Sequence, residues 1–245
     1  MSRIAVIVVA GGQGTRMGTE VPKQFLLLDG VPVLFHTLRA FAAALGDRAR
    51  QILVLPEAHR ALWDRLCRQY RLEVPHEVCA GGENRFESVR NGLERIGNAE
   101  WVAVHDGVRP LVSREVILRT VEEVQRHGAV IPVVRPVDSL RYLETPDTSG
   151  RIVDRSRFRV VQTPQVFRTD WLREAYERPY SREFTDDASV VEASGRTIAL
   201  CNGDYANIKI TTPTDLLFAE AILQSRKSTL ESKVFVCKFS KLNRA

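Results

Sequence analysis

Uninterrupted apolar runs alternate along this chain with stretches whose apolar positions recur at helical spacing. Ile4-Ala-Val-Ile-Val-Val9 has no polar break, the signature of a strand buried on both faces. Comparable strand-like runs lie at 51–55, 101–105, 129–134 and 197–201, and a further strand is placed near 76–79. Between them, 33–45, 57–70, 84–96 and 113–127 repeat apolar residues about every 3.6 positions, as at Leu62, Leu66 and Tyr70. Strands alternating with amphipathic helices predict an α/β fold, a mainly parallel Rossmann-like sheet with helices on both faces. Ligands bind such sheets beyond the carboxyl ends of the strands, so the loops after the strands are where chemistry belongs.

Residues 135–165 break the alternation. Arg135–Leu143, a turn through Pro146 and Gly150, and Arg151–Arg155 read as strand, turn, strand. A protruding β-hairpin arm, about 136–160, suits a contact with a second copy of the chain; a plain surface excursion reads equally from the pattern. Near the C-terminus, Thr212-Pro-Thr-Asp215 before an apolar run marks a helix start, with Thr212 as cap and Pro213 at the first helical position. Residues 1–225 are expected to form the working domain. Residues 226–245 read as a basic, solvated extension whose Val234–Phe239 is a late strand or disordered.

The chain has 245 residues, 44% hydrophobic and 27% charged, which is ordinary for a soluble globule. No apolar run approaches the roughly 20 residues of a membrane span, and the first strand begins at once, so no membrane partner and a cytoplasmic location are expected. Cys67, Cys79, Cys201 and Cys237 are scattered and make no metal-binding pair. The net charge of +5 first suggests nucleic acid. Its distribution argues against that. Residues 226–245 hold six of the 35 Lys and Arg and one of the 30 acidic residues, leaving 29 of each in residues 1–225. The body is neutral, and no nucleic-acid partner is expected.

Candidate chemistry concentrates in the loops. Ala10-Gly-Gly-Gln-Gly-Thr-Arg-Met-Gly18 follows the first strand and precedes Pro22-Lys23-Gln24. Bare backbone amides, the guanidinium of Arg16 and the ammonium of Lys23 together suit a triphosphate. The loop is neither a dinucleotide fingerprint, because Met17 stands at the third glycine position, nor a P-loop, because Thr19 follows Gly18 where lysine is required. A tight turn carrying surface cations is the plain alternative. Two further loops follow strands: Ala80-Gly-Gly-Glu-Asn-Arg-Phe-Glu-Ser88 and His105-Asp-Gly-Val-Arg-Pro110.

With Val153-Asp-Arg155, Gln162-Thr-Pro-Gln165, Phe184-Thr-Asp-Asp-Ala-Ser189 and Asn207-Ile-Lys-Ile-Thr-Thr-Pro-Thr-Asp215, these loops resemble the 2-C-methyl-D-erythritol 4-phosphate cytidylyltransferase family of the non-mevalonate isoprenoid pathway over about residues 3–224. The resemblance implies transfer of CMP from CTP to the sugar-alcohol phosphate, with Mg²⁺ as cofactor and pyrophosphate released. It implies Arg16 and Lys23 as the catalytic pair on the pentacoordinate phosphorus. It places Ala10, Gly11, Gly12, Gly14 and Thr15 against the ribose and phosphates, and Ala80, Gly81, Gly82, Glu83 and Ser88 around cytosine. Asp106 is implied as nucleotide-side Mg²⁺ ligand. Arg109, Ser139, Arg155, Thr185 and Lys209 are implied on the acceptor, with Ser139 where relatives usually carry Thr. Gly107 and Val108 replace the family's two alanines, with little consequence expected. The family exchanges its arms in a homodimer, so a homodimer is expected here. Ribitol-5-phosphate cytidylyltransferases share the CTP loops and remain the alternative; Gln162–Gln165 and Thr185-Asp-Asp187 lean toward methylerythritol phosphate. His105, alone at a strand end, reads as structural rather than as an acid or base.

Overall fold

The structure, a computed structural model, describes residues 4–12, 21–145 and 149–242, the side chains beyond 228 excepted. β1 (Ile4–Val9) is followed by β2 (Leu27–Leu28) and β3 (Val31–Pro32), which pair with each other, and by α1 (Val33–Leu45). β4 (Ala49–Leu55) leads to α2 (Arg60–Gln69), β5 (Glu77–Ala80) to α3 (Arg85–Leu93), and β6 (Trp101–Asp106) to α4 (Arg114–His127). After β7 (Ala129–Val134) come β8 (Leu140–Tyr142) and β9 (Arg151–Val153), then β10 (Val160–Val161), β11 (Gln165–Arg168), α5 (Thr169–Tyr176), α6 (Asp187–Ala193), β12 (Ala199–Asn202) and α7 (Pro213–Leu242).

The main sheet runs β10-β7-β11-β6-β1-β4-β5, with β12 also paired to β7. β1 pairs in parallel with both β4 and β6, and β4 with β5. The strand order therefore reverses at β1, and the crevice of a switch point opens between β1 and β6. Alternate residues of β1 serve two cores. Ala5 and Ile7 pack with α3, α5 and α6 residues such as Val89, Leu172 and Val191. Ile4, Val6 and Val8 pack with α1 and α4 residues such as Leu38, Phe41 and Ile117. This division accounts for the unbroken apolar run: a strand with helices on both faces has no solvent side.

The apolar pattern misses β11, which lies antiparallel between β6 and β7. Four residues behind a proline carry too little periodicity to be read as a strand. The predicted helix at 84–96 ends at Leu93. β8 and β9 pair antiparallel, Leu140 opposite Val153 and Tyr142 opposite Arg151.

The C-terminal helix starts as its cap predicts. Asp215 Oδ2 accepts the backbone N–H groups of Thr211 and Thr212 at 2.8 and 2.7 Å. The segment 234–239 is not a strand: it lies within α7, which runs to Leu242. Nor is the start of the extension simply solvated: Arg226 donates to the carbonyl of Leu111, and Lys227 pairs with Asp29.

α3 carries one of the candidate loops at its N-terminus, and its distance from the sheet is set by Gly92. A Cβ there would lie 2.8 Å from Cγ2 of Ile7 and 3.2 Å from Cγ2 of Val54. Both neighbours are fully buried and have nowhere to move. Gly92→Ala should therefore destabilise the protein by about 1–3 kcal/mol despite alanine's better helix propensity. Denaturant unfolding checks this, and an unchanged midpoint would show that the packing has slack.

Candidate active site

Three loops leave the sheet at one level because backbone pairing continues past the strand ends. Ala10 N–H donates to Val54, Gly81 N–H to Leu55 and Gly107 N–H to Val9, at 2.8–2.9 Å. They meet over a cavity of about 740 Å³ at the carboxyl edge of the sheet, lined by Ala10, Gly11, Gly12, Lys23, Gly82, Glu83, Ser88, Asp106 and Lys209 among others.

Each loop is built from its own residues. Asn84 caps α3, its Oδ1 accepting the N–H of Glu87 at 2.9 Å. Ser88 Oγ accepts the N–H of Gly82 at 3.1 Å and donates to the carbonyl of Asn84 at 2.8 Å, so this helix residue also folds the glycine turn back on itself. A Cβ on Gly81 would stand 3.1 Å from that same Oγ, which leaves no room for a larger residue without displacing the hydroxyl. Gln24 is buried and donates to the carbonyl of Ala10 at 2.9 Å, holding the segment after the first loop against its start.

At the cavity floor, Asp106 is buried among cations. Lys209 Nζ lies 3.0 Å and Arg109 Nε 3.4 Å from Oδ2, and Arg85 Nε lies 3.7 Å from Oδ1. Burial alone would raise the carboxyl pKa; the charges of Arg85, Lys209 and Arg109 outweigh it and hold the group well below the usual carboxylate range. The loop is fixed from behind by His105. Its Nε2 faces the carbonyl of Arg109 at 3.1 Å and so carries the proton, which makes Nδ1 an acceptor for Thr163 Oγ1 at 3.0 Å. The same Oγ1 accepts the N–H of Asp106 at 3.1 Å. Burial pushes the imidazole pKa down to about 4. A fully buried, neutral ring with both nitrogens occupied is a structural histidine, as its position in the sequence suggests.

Arg85 and Asp187 are the residues that sequence reasoning left without a role. Arg85 lines the cavity and grips Asp187 with two hydrogen bonds, 3.0 and 2.6 Å; Tyr176 donates its hydroxyl to the same carboxylate at 2.6 Å. Asp187 is fully buried at the first turn of α6. Gln162–Gln165 is the connector. Gln162 bonds both the carbonyl and the N–H of Asp204, Thr163 holds the Asp106 loop, and Gln165 accepts from Ala188 and donates to Asp186.

The remaining candidates fall elsewhere. Gly14, Thr15 and Arg16 lie outside the described residues. Ala80 and Gly81 adjoin the cavity without lining it. Arg109 stands behind Asp106, its Nη1 on the carbonyl of Asn207 at 2.8 Å. Thr185 is exposed just before α6. Ser139 and Arg155 are exposed around the β8–β9 ribbon, with Arg155 donating to the carbonyl of Val137. Gly107 matters more than expected from sequence: a Cβ there would lie 2.9 Å from Leu34 Cδ1 and 3.0 Å from the Ala10 Cβ.

Among the described residues no three His, Cys, Asp or Glu side chains cluster in a metal cage. The donor chemistry at Asp106, a single ionised carboxylate facing an open cavity, fits a hard cation held mainly through a substrate's phosphates. No helix of the described residues is long and apolar enough to cross a membrane.

A family model described as IspD, 2-C-methyl-D-erythritol 4-phosphate cytidylyltransferase, matches residues 4–225. A curated protein of that name from Porphyromonas gingivalis is 52% identical over 220 residues, covering 89% of this chain and 97% of its own length. Among solved structures, 4-diphosphocytidyl-2C-methyl-D-erythritol synthase from Anaerococcus prevotii superposes with a TM-score of 0.76 at 28% identity, covering 90% of this chain and 96% of that one. The cytidylyltransferase from Thermus thermophilus superposes at 0.71 with 35% identity, covering 91% and 100%.

The pairing of Arg85 with buried Asp187 generates a prediction. Asp187→Ala takes two hydrogen bonds from Arg85 and one from buried Tyr176, leaving Arg85 only its 3.7 Å approach to Asp106, and should destabilise the protein by about 3–5 kcal/mol, whereas Tyr176→Phe, which removes one hydrogen bond to the carboxylate, should cost about 1.5–3 kcal/mol. Chemical denaturation of the two variants measures the difference; equal, small losses would mean that the pair is not buried as described.

Proposed function

The chain belongs to the IspD family of 2-C-methyl-D-erythritol 4-phosphate cytidylyltransferases, and on that premise we propose that it transfers CMP from CTP to 2-C-methyl-D-erythritol 4-phosphate, giving 4-diphosphocytidyl-2-C-methyl-D-erythritol and pyrophosphate. The observation that carries the reading is the convergence on one cavity of Ala10–Gly12 at the start of the glycine-rich loop, the Gly82–Ser88 turn, Asp106 and Lys209. A cytoplasmic location goes with it, since the reaction draws on a nucleoside triphosphate.

The acceptor phosphate is already an anion at neutral pH, so no general base is needed. The barrier lies in bringing anions together and in the charge that gathers on the α-phosphate and leaving group. Positioning and electrostatic stabilisation are therefore what the protein supplies. Lys23 on the cavity wall, with Arg16, is proposed to stabilise the pentacoordinate phosphorus. Lys209 is proposed to hold the incoming phosphate beside Asp106. Gly82 and Glu83, which line the cavity, are proposed to read cytosine's amino group through backbone groups, with the tight glycine turn favouring a pyrimidine over a purine. Mg²⁺, if bound by Asp106 and the nucleotide, would neutralise phosphate charge; Asp106, already ionised, would need to lose no proton to ligate it.

Ser139, Arg155 and Thr185 are proposed to complete the acceptor site. Ser139 and Arg155 would do so from a partner subunit, in a two-fold homodimer that exchanges arms of about residues 136–160. Val137 and Ile152 support this: they are 68% and 65% exposed, a large apolar exposure for a free ribbon.

Pyrophosphate release should require CTP, Mg²⁺ and methylerythritol phosphate together. Equal or faster turnover with ribitol 5-phosphate would overturn the acceptor while leaving the reaction type standing. Lys23→Ala should lower kcat by about 10²–10³-fold, far more than it raises KM for CTP. A variant that keeps more than about a third of wild-type kcat would remove Lys23 from the transition state. Sedimentation should give a dimer, and a stable, fully active monomer at micromolar concentration would rule out the exchanged arms.

A further inference from the structure

Arg226 sits one residue beyond the family-matched span of 4–225, in the segment the sequence marks as an extension, yet it reaches two loops of the site. Its Nη1 donates to the carbonyl of Leu111 at 3.0 Å, and its Nη2 lies 3.6 Å from Oδ2 of Asp204. Leu111 lies in the loop 107–113 that follows Asp106, the last residue of β6, and carries Arg109. Asp204 begins the turn that carries Lys209. Asp204 Oδ1 accepts the N–H of Ala206 at 2.8 Å, and its carbonyl accepts the N–H of Asn207 at 2.9 Å. Asn207 then takes Arg109 on its carbonyl, and Ile210 N–H donates to Val108 at 2.9 Å. Lys209, between those two ties, meets Asp106.

We propose that Arg226 is a positioning residue, which sets the spacing of the Asp106–Arg109 loop and the Lys209 turn and so fixes where Lys209 presents its charge. The fork of an arginine suits this role because the two acceptors belong to different loops and are met by different guanidinium nitrogens. A half-exposed ion pair adds little to global stability, so the effect is local and the substituted protein should fold. The inference rests on the proposed transfer reaction, in which Lys209 holds the acceptor phosphate.

The test uses full-length Arg226→Ala, Arg226→Lys and Asp204→Asn, the last keeping an oxygen for Ala206 while removing the ion pair. Initial rates of pyrophosphate release, with CTP and methylerythritol phosphate varied separately, should show acceptor KM raised about 5–20-fold in Arg226→Ala and KM for CTP within about twofold of wild type. Arg226→Lys should fall between, and the double variant Arg226→Ala/Asp204→Asn should lose less than the sum of the single losses. Hydrogen exchange at the amides of Ala206, Asn207 and Ile210 reads the same tether without turnover, and should quicken in Arg226→Ala while β1 and β4 amides stay protected. Unchanged exchange at those three amides, equal rises in both KM values, or additive losses would overturn the proposal. A wild-type enzyme silent toward CTP and acceptor would sink the transfer reading, and the exchange experiment would still decide the tether.

Discussion

One buried carboxylate held by three cations organises the carboxyl edge of this sheet. Asp106 closes β6 at the switch point, and Arg85, Arg109 and Lys209 approach it from three separate parts of the chain. Without the carboxylate the three positive groups would repel one another in a site of low dielectric. Without the cations burial would neutralise the carboxyl. Each side therefore fixes the other. In the proposed reaction, substrate phosphates would bring negative charge to balance the cations at this floor.

The arrangement depends on supports that never face the cavity. Thr163 joins Asp106 to His105, and Gln162 ties the Asp204 turn to the same connector. Asp187, buried beneath Tyr176, holds Arg85 at the correct reach. β11 inserts antiparallel between β6 and β7, which brings this connector directly behind the Asp106 loop. The departure from an all-parallel sheet thus supports the site.

Much of this was legible in the sequence because it is local. The unbroken apolar runs give β1, β4 and β7, the 3.6-residue periodicity gives α1 and α4, and Thr212-Pro-Thr-Asp215 gives the start of α7. Glycine-rich loops after strands point to the cavity by topology alone. What was not legible is non-local. Asp187 beside Asp186 looks like an ordinary helix cap, and only the fold reveals that Asp186 caps while Asp187 reaches 102 positions back to Arg85. β11 is too short to show a period. The consequence of Gly107 depends on Leu34, which lies in a different element. Past Ser225, composition suggested a solvated end, whereas the backbone is helical to Leu242 and two of its cations have named partners.

The central claim is that the negative charge of Asp106, and not merely its shape, organises the site for transfer. Asp106→Asn keeps the size and removes the charge. Single-turnover release of pyrophosphate from CTP and methylerythritol phosphate by folded Asp106→Asn, at saturating Mg²⁺, tests it most directly. The account predicts a rate lowered about 10²-fold or more, as for the loss of a preorganised charged group at a reacting phosphate. A rate near wild type would contradict it and leave the three cations as bystanders.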